Sequence, residues 1–483
     1  MLKKKIVKGF IWVGLSSCLV QGIKLISKIV LARLLLPEDF GLVSVGLFVL
    51  SGFALLQGLG INTALVRKQE KVEDAANAAF ILAPCIGGTL FILTFLASAP
   101  AASFFQKQEI ANIVRVLSFT FILSSFELVP SALLTKNMAF ARGSVAEVCS
   151  TFIYAFVAIS LAYMGKGYWS LIYGYISSLA TSVLLMWLLC DFRPSLRFNR
   201  EVALELLSYG KFAAISAVAS FFIIQLDNGV VGKVLGMSAL GWYGMAYTIA
   251  NLPVVGTSMV IAGAMYPVFS KLQSEKERLR QAVLKSLKII AVIILPISFC
   301  IIVLSDEFIR LFLGAKWLPM SAALKILCIF AVFRAVQNLL GMMLQAIGEA
   351  KIEMLNGILE VLIILITIVP LTWRFNIIGT SIAVTIMIFL GCSWLLYITA
   401  KKLYIKYLSF FDVCALPVFG SVAMSAILIL IKKYLLKDIN ILSFFILVLI
   451  GGAVFLSILI FFDRKIISEG KTLFNLAMSR NAN

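Results

Sequence analysis

The chain has 483 residues, 61% of them hydrophobic and 13% charged, with a formal net charge of +19 and no histidine. A soluble globular protein carries about 45–50% apolar and about 25% charged residues, so a fold in water would leave apolar surface that so little charge could not cover. The missing histidine excludes His-containing zinc sites, Ser-His-Asp or Cys-His nucleophile activation and a histidine proton relay.

A bilayer core of about 30 Å needs roughly 20 apolar residues of helix. In chain order, runs of that kind fall at 9–32, 39–66, 78–103, 110–135, 144–164, 168–190, 209–232, 239–266, 283–305, 320–346, 352–373, 377–400, 413–436 and 441–462. The first run is too long for a cleaved signal peptide and lacks a small-residue cleavage site before the next. Nothing alternates polar and apolar residues in short strands, as a β-barrel requires. The expected fold class is therefore an all-α integral membrane protein of about fourteen transmembrane helices.

Two polar stretches interrupt the rhythm. Residues 191–208 read as a cytoplasmic connection, and 271–288 as an amphipathic helix lying on the inner membrane surface, its basic residues facing anionic headgroups. With both termini inside, about two thirds of the 42 basic residues fall on the cytoplasmic side, as the positive-inside rule asks. The excess charge is thus topological, and nucleic acid is not an expected partner. All eight cysteines lie in apolar runs with no CxxC pair, and read as small buried hydrophobes. Trp169, Trp242, Trp317, Trp373 and Tyr168 read as an interfacial aromatic belt.

Residues 9–66 laid over 209–266 without a gap pair Arg33 with Lys233, Leu35 with Leu235 and Gly41 with Gly241. Identity is low, but the order of features is shared: span, basic residue, short turn, glycine, long span, basic residue. Six spans per unit give both halves one orientation, a parallel repeat about an axis along the membrane normal. The expected domains are an N-lobe at 1–195, a C-lobe at 196–405, and two additional spans with a tail at 406–483. Pro84, Pro253, Pro296 and Pro417 sit within spans, where neighbouring helices and water satisfy the freed carbonyls.

An ionisable residue deep in a span costs at least about 2.5–3.5 kcal/mol on insertion scales, which marks it as a functional candidate. Lys24 and Lys28 share one face of the first span. Asp227 lies in the seventh and Arg334 midway through the tenth, while Glu127 and Glu147 lie nearer span ends. Lys24, Lys28 and Arg334 are candidate substrate-binding residues, a cationic lining for an anion such as a pyrophosphate. Asp227 is the candidate counter-ion, gate partner or site of a coupling H⁺ or Na⁺. The competing reading is that these residues pair within a lobe and fix helix packing. No catalytic residue, metal site or bound cofactor is expected.

The segments LARLLLPEDFGLVSVGLFVLSGFALLQGLGINTALVRKQE (31–70), GKGYWSLIYG (165–174) and EFIRLFLGAKW (307–317) carry a further signal. In them the chain resembles the polysaccharide flippases (O-antigen, colanic-acid and teichuronic-acid translocases) of the multidrug/oligosaccharidyl-lipid/polysaccharide exporter superfamily. The resemblance implies a two-lobed bundle with a V-shaped cavity lined largely by spans one, two, seven and eight. It also implies flipping of an undecaprenyl-pyrophosphate-linked oligosaccharide to the outer face of the bacterial cytoplasmic membrane by alternating access, with a polysaccharide polymerase as a candidate partner. The family has no single residue signature for this activity, so the four candidate residues rest on charge in lipid alone. A cation-coupled multidrug exporter of the same superfamily needs acidic cavity residues, whereas the deep charges here are mainly basic. A membrane-embedded polymerase usually has a large outer loop and an acyltransferase a histidine, and the sequence has neither. A purely structural membrane protein is disfavoured by the repeat and the buried charges.

Overall fold

The computed structural model describes residues 2–57, 65–66, 68, 70, 72–195, 210–434 and 440–463. Among these are thirteen α-helices: α1 Leu2–Leu34, α2 Pro37–Gln57, α3 Val72–Phe105, α4 Glu109–Lys136, α5 Phe140–Tyr163, α6 Trp169–Leu189, α7 Gly210–Val234, α8 Met237–Lys271, α9 Lys276–Phe308, α10 Ser321–Ala346, a 54-residue helix Ala350–Leu403, then Tyr407–Tyr434 and Ile441–Phe462. The long one breaks at Asn376 (φ 53°, ψ −142°), so its arms are α11 (350–375) and α12 (377–403), and the last two helices are α13 and α14. Fourteen arms result, and each matches one apolar run of the sequence. Ten of the helices are long and apolar enough to cross a membrane, or eleven counting one bent pair. The chain is a multi-pass membrane protein, with backbone polar groups satisfied inside helices as lipid demands.

The break between α11 and α12 is sharp. A Cβ added to Gly379 would stand 1.8 Å from the Leu371 carbonyl oxygen, and the Thr372 and Thr380 hydroxyls hydrogen-bond at 2.8 Å across the fold. Asn376 holds a backbone conformation disfavoured for side chains, a strain of about 1–3 kcal/mol. Asn376→Gly is expected to stabilise the protein by about 1 kcal/mol, after allowing for glycine's larger entropy loss, and Asn376→Val to destabilise it. Thermal midpoints in detergent check this, and a glycine variant that melts below wild type refutes the strain.

Contacts divide the chain into two compact units, Met1–Gly241 and Trp242–Asn483. In the first unit α3 packs on α4, α5 on α6, α1 on α5, and α2 on both α4 and α7. The sequence repeat restarts near 196, whereas the compact units divide after Gly241, because α7 packs on α2 through its glycines. A Cβ on Gly229 would meet the Phe48 ring at 2.8 Å, and one on Gly232 would meet Val45 at 3.2 Å.

The start of α2 explains the LLPEDFG segment in structural terms. Pro37 opens the helix where no N–H is needed, and the Asp39 carboxylate reaches back to accept the Leu36 N–H at 2.8 Å, one half of a capping box. Glu38 pairs with Lys107 at 2.8 Å. Gly41 then lies against the first turn of α8: an added Cβ would stand 1.9 Å from the Met237 carbonyl oxygen, while one on Gly241 would stand 1.9 Å from that of Pro37. The contact is reciprocal, each glycine lying against the first residue of the other helix.

In the second unit α9 is the central post, packed on α10, α13 and α14. The C-terminal pair α13–α14 is tied to it at two levels, by Lys432 to Glu307 at 2.6 Å and by Lys288 to Asp463. Asn440 caps α14 by accepting the Ser443 N–H at 2.8 Å.

Three sequence expectations are corrected. The stretch 271–288 is not a separate surface helix. Lys271 ends α8, and from Lys276 the helix runs without interruption into the ninth span. Its apolar stripe, Leu279, Val283 and Leu287, packs on Leu339, Leu340 and Met343 of α10 and on Leu403 and Phe410, so protein occupies the face assigned to lipid. Trp317 is fully buried rather than interfacial, within a short 3-10 helix. Of the cysteines, Cys18, Cys85 and Cys149 are exposed on the helix surface and Cys190, Cys328 and Cys392 are buried.

Candidate functional site

The first candidate is the lysine pair of α1. Val20, Ser27 and Leu31 form the buried face of this helix, and Leu19 and Ile26 are its exposed large apolar residues, at 53% and 64% exposure. At about 100° per residue, Lys24 stands roughly 140–160° around the helix from those two. Lys24 is exposed and Lys28, one turn further on, half-buried. The apolar exposed face is suited to acyl chains; the lysines point elsewhere, beside the packed face. Ser27 spends its hydroxyl on the backbone, donating to Ile23 O at 2.7 Å and to Lys24 O at 3.1 Å. It therefore leaves the ammonium groups as the polar feature of this stretch.

Asp227 belongs to the same unit. It is 5% exposed and accepts the Asn228 backbone N–H at 2.7 Å, while Asn228 donates to Gln225 at 3.0 Å. It lies two residues before Gly229, where an added Cβ would meet the Phe48 ring of α2, so it sits beside a tightly packed contact. A carboxylate at such a point couples helix packing to the charge it carries.

Arg334 belongs to the second unit. Its guanidinium lies over the Phe330 ring, 5.6 Å from the centroid, and its charge acts on Glu360 of α11. Lys24, Lys28 and Asp227 thus share one unit, and Arg334 stands in the other with a carboxylate neighbour.

Glu360 is the residue that the sequence reading missed. It lies mid-span, 3% exposed, and its Oε1 accepts from Asn356 Nδ2 at 2.8 Å and from Gln337 Nε2. The insertion-cost argument applied to Lys24 would have found it. Its partners are uncharged and raise no signal in hydropathy. Gly391 of α12 makes room for the cluster: a Cβ there would stand 2.5 Å from Glu360 Oε1 and 3.1 Å from Asn356 Oδ1. Glu127, by contrast, accepts the Ser182 hydroxyl at 2.6 Å and ties α4 to α6.

One groove of about 220 Å³ opens in the second unit. Ser258 of α8, Asn338 and Gln345 of α10 and Glu353 of α11 give it a polar lining. Asn338 donates to Ser258 at 3.2 Å, and Gln345 donates to Glu353. No group of His, Cys, Asp and Glu side chains able to hold a metal ion occurs among the described residues.

An uncharacterized membrane protein in the cps region of Klebsiella pneumoniae is 25% identical over 484 residues, covering 98% of each chain. The lipopolysaccharide biosynthesis protein WzxC of Escherichia coli is 24% identical over 358 residues, 73% of this chain and 72% of that one. A solved structure titled lipid II flippase MurJ, inward closed conformation, superposes with a TM-score of 0.77 at 17% identity, covering 94% of this chain and 99% of that one, a likeness of fold. Residues 30–322 match the family described as polysaccharide biosynthesis protein. That match spans more than half of the sequence and includes the capped α2 start, the Gly41 crossing and the segment around Trp317, and by it the chain belongs to the polysaccharide biosynthesis protein family.

Proposed function

We propose that the protein is a transporter, not an enzyme: a flippase that carries a lipid-linked oligosaccharide across the bacterial cytoplasmic membrane for assembly of a surface polysaccharide. Family membership supports the pathway, and the names of the relatives support the step. The observation that carries the reading to particular residues is the Lys24/Lys28 pair, two cations on the face of a membrane helix turned away from its exposed apolar side chains. A lipid-linked sugar presents the complementary chemistry, a long hydrocarbon chain for the apolar surface and a phosphate-type anion for the ammonium groups. An undecaprenyl pyrophosphate carrier fits these terms, and substrate passage by alternating access fits a two-unit bundle.

The charge bias along the sequence supports a topology with both termini in the cytoplasm. Asp227 is assigned as a gate or ion-coupling carboxylate, with H⁺ or Na⁺ as the coupling ion. A polymerase that consumes the flipped unit is the natural partner.

Expression in a strain lacking its own flippase, but supplied with the matching glycosyltransferases, is expected to restore surface polymer. Without the protein, the lipid-linked unit stays on the inner leaflet, protected from an enzyme added outside to spheroplasts. If that unit becomes accessible equally with and without the protein, the flippase assignment is wrong. If instead the strain gains resistance to organic cations with no change in the glycolipid, the protein is a drug exporter.

A further inference from the structure

The α10–α11 seam of the second unit carries polar residues in register along most of a span. Gln337, Gly341 and Gln345 lie on one face of α10 at intervals of four, and Glu353, Asn356 and Glu360 line the facing side of α11. Glu353 sits over Gly341, whose Cβ would stand 3.0 Å from Glu353 Oε1, and takes a hydrogen bond from Gln345 at the rim of the groove. Two turns deeper, about 10 Å along the helix, Glu360 takes its bonds from Gln337 and Asn356.

The deep end is over-supplied with acceptors. Gln337 Oε1 and Asn356 Oδ1 are buried and have no hydrogen-bond partner, and Asn356 as a whole is 2% exposed. Native proteins leave few such atoms, yet here two flank one carboxylate. A purely structural cluster would pair them. The arrangement suits a group that exists in two states. Ionised, Glu360 uses the two amide N–H donors. Protonated, its O–H has an unused amide oxygen on either side to receive it.

From this we infer that Glu360 is a proton-binding site, loaded from the groove by way of Glu353. The proton moves from water onto the Glu353 carboxylate at the rim and then, relayed by water over the roughly 10 Å between the two carboxylates, onto Glu360, whose new O–H donates to Gln337 Oε1 or Asn356 Oδ1; each relaying water gives up one proton as it takes one. The charged and titratable groups facing Glu360 are Arg334 on α10, Glu353 on its own helix and the Cys392 thiol on α12, which is itself neighboured by Cys414 of α13. Loading the proton removes the negative charge near Arg334. Because Gln337 is on α10 and Asn356 on α11, the change of bonding falls on the seam between these two helices. Its use in transport rests on the proposed function, but its existence does not.

Infrared difference spectroscopy on the purified full-length protein in lipid nanodiscs, without any glycolipid, separates the two. On acidification the wild type is expected to show a protonated-carboxyl band that is lost in Glu360→Gln and shifted in frequency in Glu360→Asp. Replacing sodium with choline leaves the band unchanged, and Glu353→Gln keeps it but slows its hydrogen–deuterium exchange. Identical difference spectra for wild type and Glu360→Gln overturn the site. A band that responds to sodium assigns the oxygens to a metal cation and overturns the proton. Unchanged exchange in Glu353→Gln overturns the route. Should Glu360→Gln fail to fold, a wild-type band that Glu360→Asp does not shift overturns the assignment. None of these outcomes depends on what the protein carries, which the complementation assay decides.

Discussion

A strain that depends on the Lys24→Ala/Lys28→Ala double variant is expected to display no surface polysaccharide while membrane abundance of the protein holds steady. Alanine is the best helix former, and exposed or half-buried lysines contribute little packing, so α1 is expected to fold as before. What disappears is the cationic feature of the face of α1 turned away from the apolar surface. Removing charge-assisted contacts to an anion, each worth about 1.5–3 kcal/mol, costs roughly two to four orders of magnitude in affinity for the pair. The Lys24→Arg/Lys28→Arg variant keeps both charges and is expected to retain export, because a point charge rather than a planar fork is required at a flexible phosphate. Normal polymer display by the double alanine variant, measured beside an immunoblot of membranes, removes the lysines from the substrate path. Loss of display in both the alanine and arginine variants shows that the ammonium geometry matters beyond its charge.

The second large effect concerns Gly41 and Gly241. Replacing a mid-helix glycine with alanine ordinarily stabilises a helix by up to about 1 kcal/mol. Here the sign reverses. Each new Cβ would stand 1.9 Å from a carbonyl oxygen of the opposing helix, and carbonyl oxygens cannot rotate aside as a side chain would. The helices must part, at the upper end of the 1–3 kcal/mol typical of overpacking or beyond it. Gly41→Ala and Gly241→Ala are each expected to lower the thermal midpoint clearly in detergent. Gly452→Ala, where nothing lies within 4 Å, is expected to match or exceed wild type. Because both glycines serve one contact, the double variant should cost less than the sum of the singles. A Gly41→Ala protein that melts with wild type contradicts the close crossing.

That crossing also shows what the sequence discloses and what it withholds. The spans were legible because lipid imposes a length on every helix, and the break between 373 and 377 stood out as a polar gap that the structure sharpens to Asn376. The pairing of Gly41 with Gly241 was visible as a repeat position, but not its cause, since close approach of two backbones leaves no hydropathy signal. PEDFG looked like a family motif and proves to be a helix start. Pro37 opens it, Asp39 caps it, Glu38 ties it to Lys107 and Gly41 admits a neighbour. The stretch 276–288 was misplaced because its amphipathic pattern is the same whether lipid or Leu339, Leu340 and Met343 cover the apolar side. Glu360 escaped notice because it stands in an otherwise apolar run and its partners are uncharged, Asn356 one turn away and Gln337 on the preceding helix. Of the candidate site, the lysines and Asp227 could be read from charge alone, while the neighbourhood of Arg334 could be read only from the fold.

The ties that hold α13 and α14 have a practical meaning. Lys288 and Glu307 are about 28 Å apart along α9, nearly the thickness of a bilayer core, and each is bound to a different end of the C-terminal pair. A beam fixed at two such points cannot pivot on either. A fluorophore or a rigid fused domain attached to α14 would therefore register the motion of α9 itself, giving an optical handle on the second unit that leaves the lysine face, the glycine crossing and the α10–α11 seam untouched.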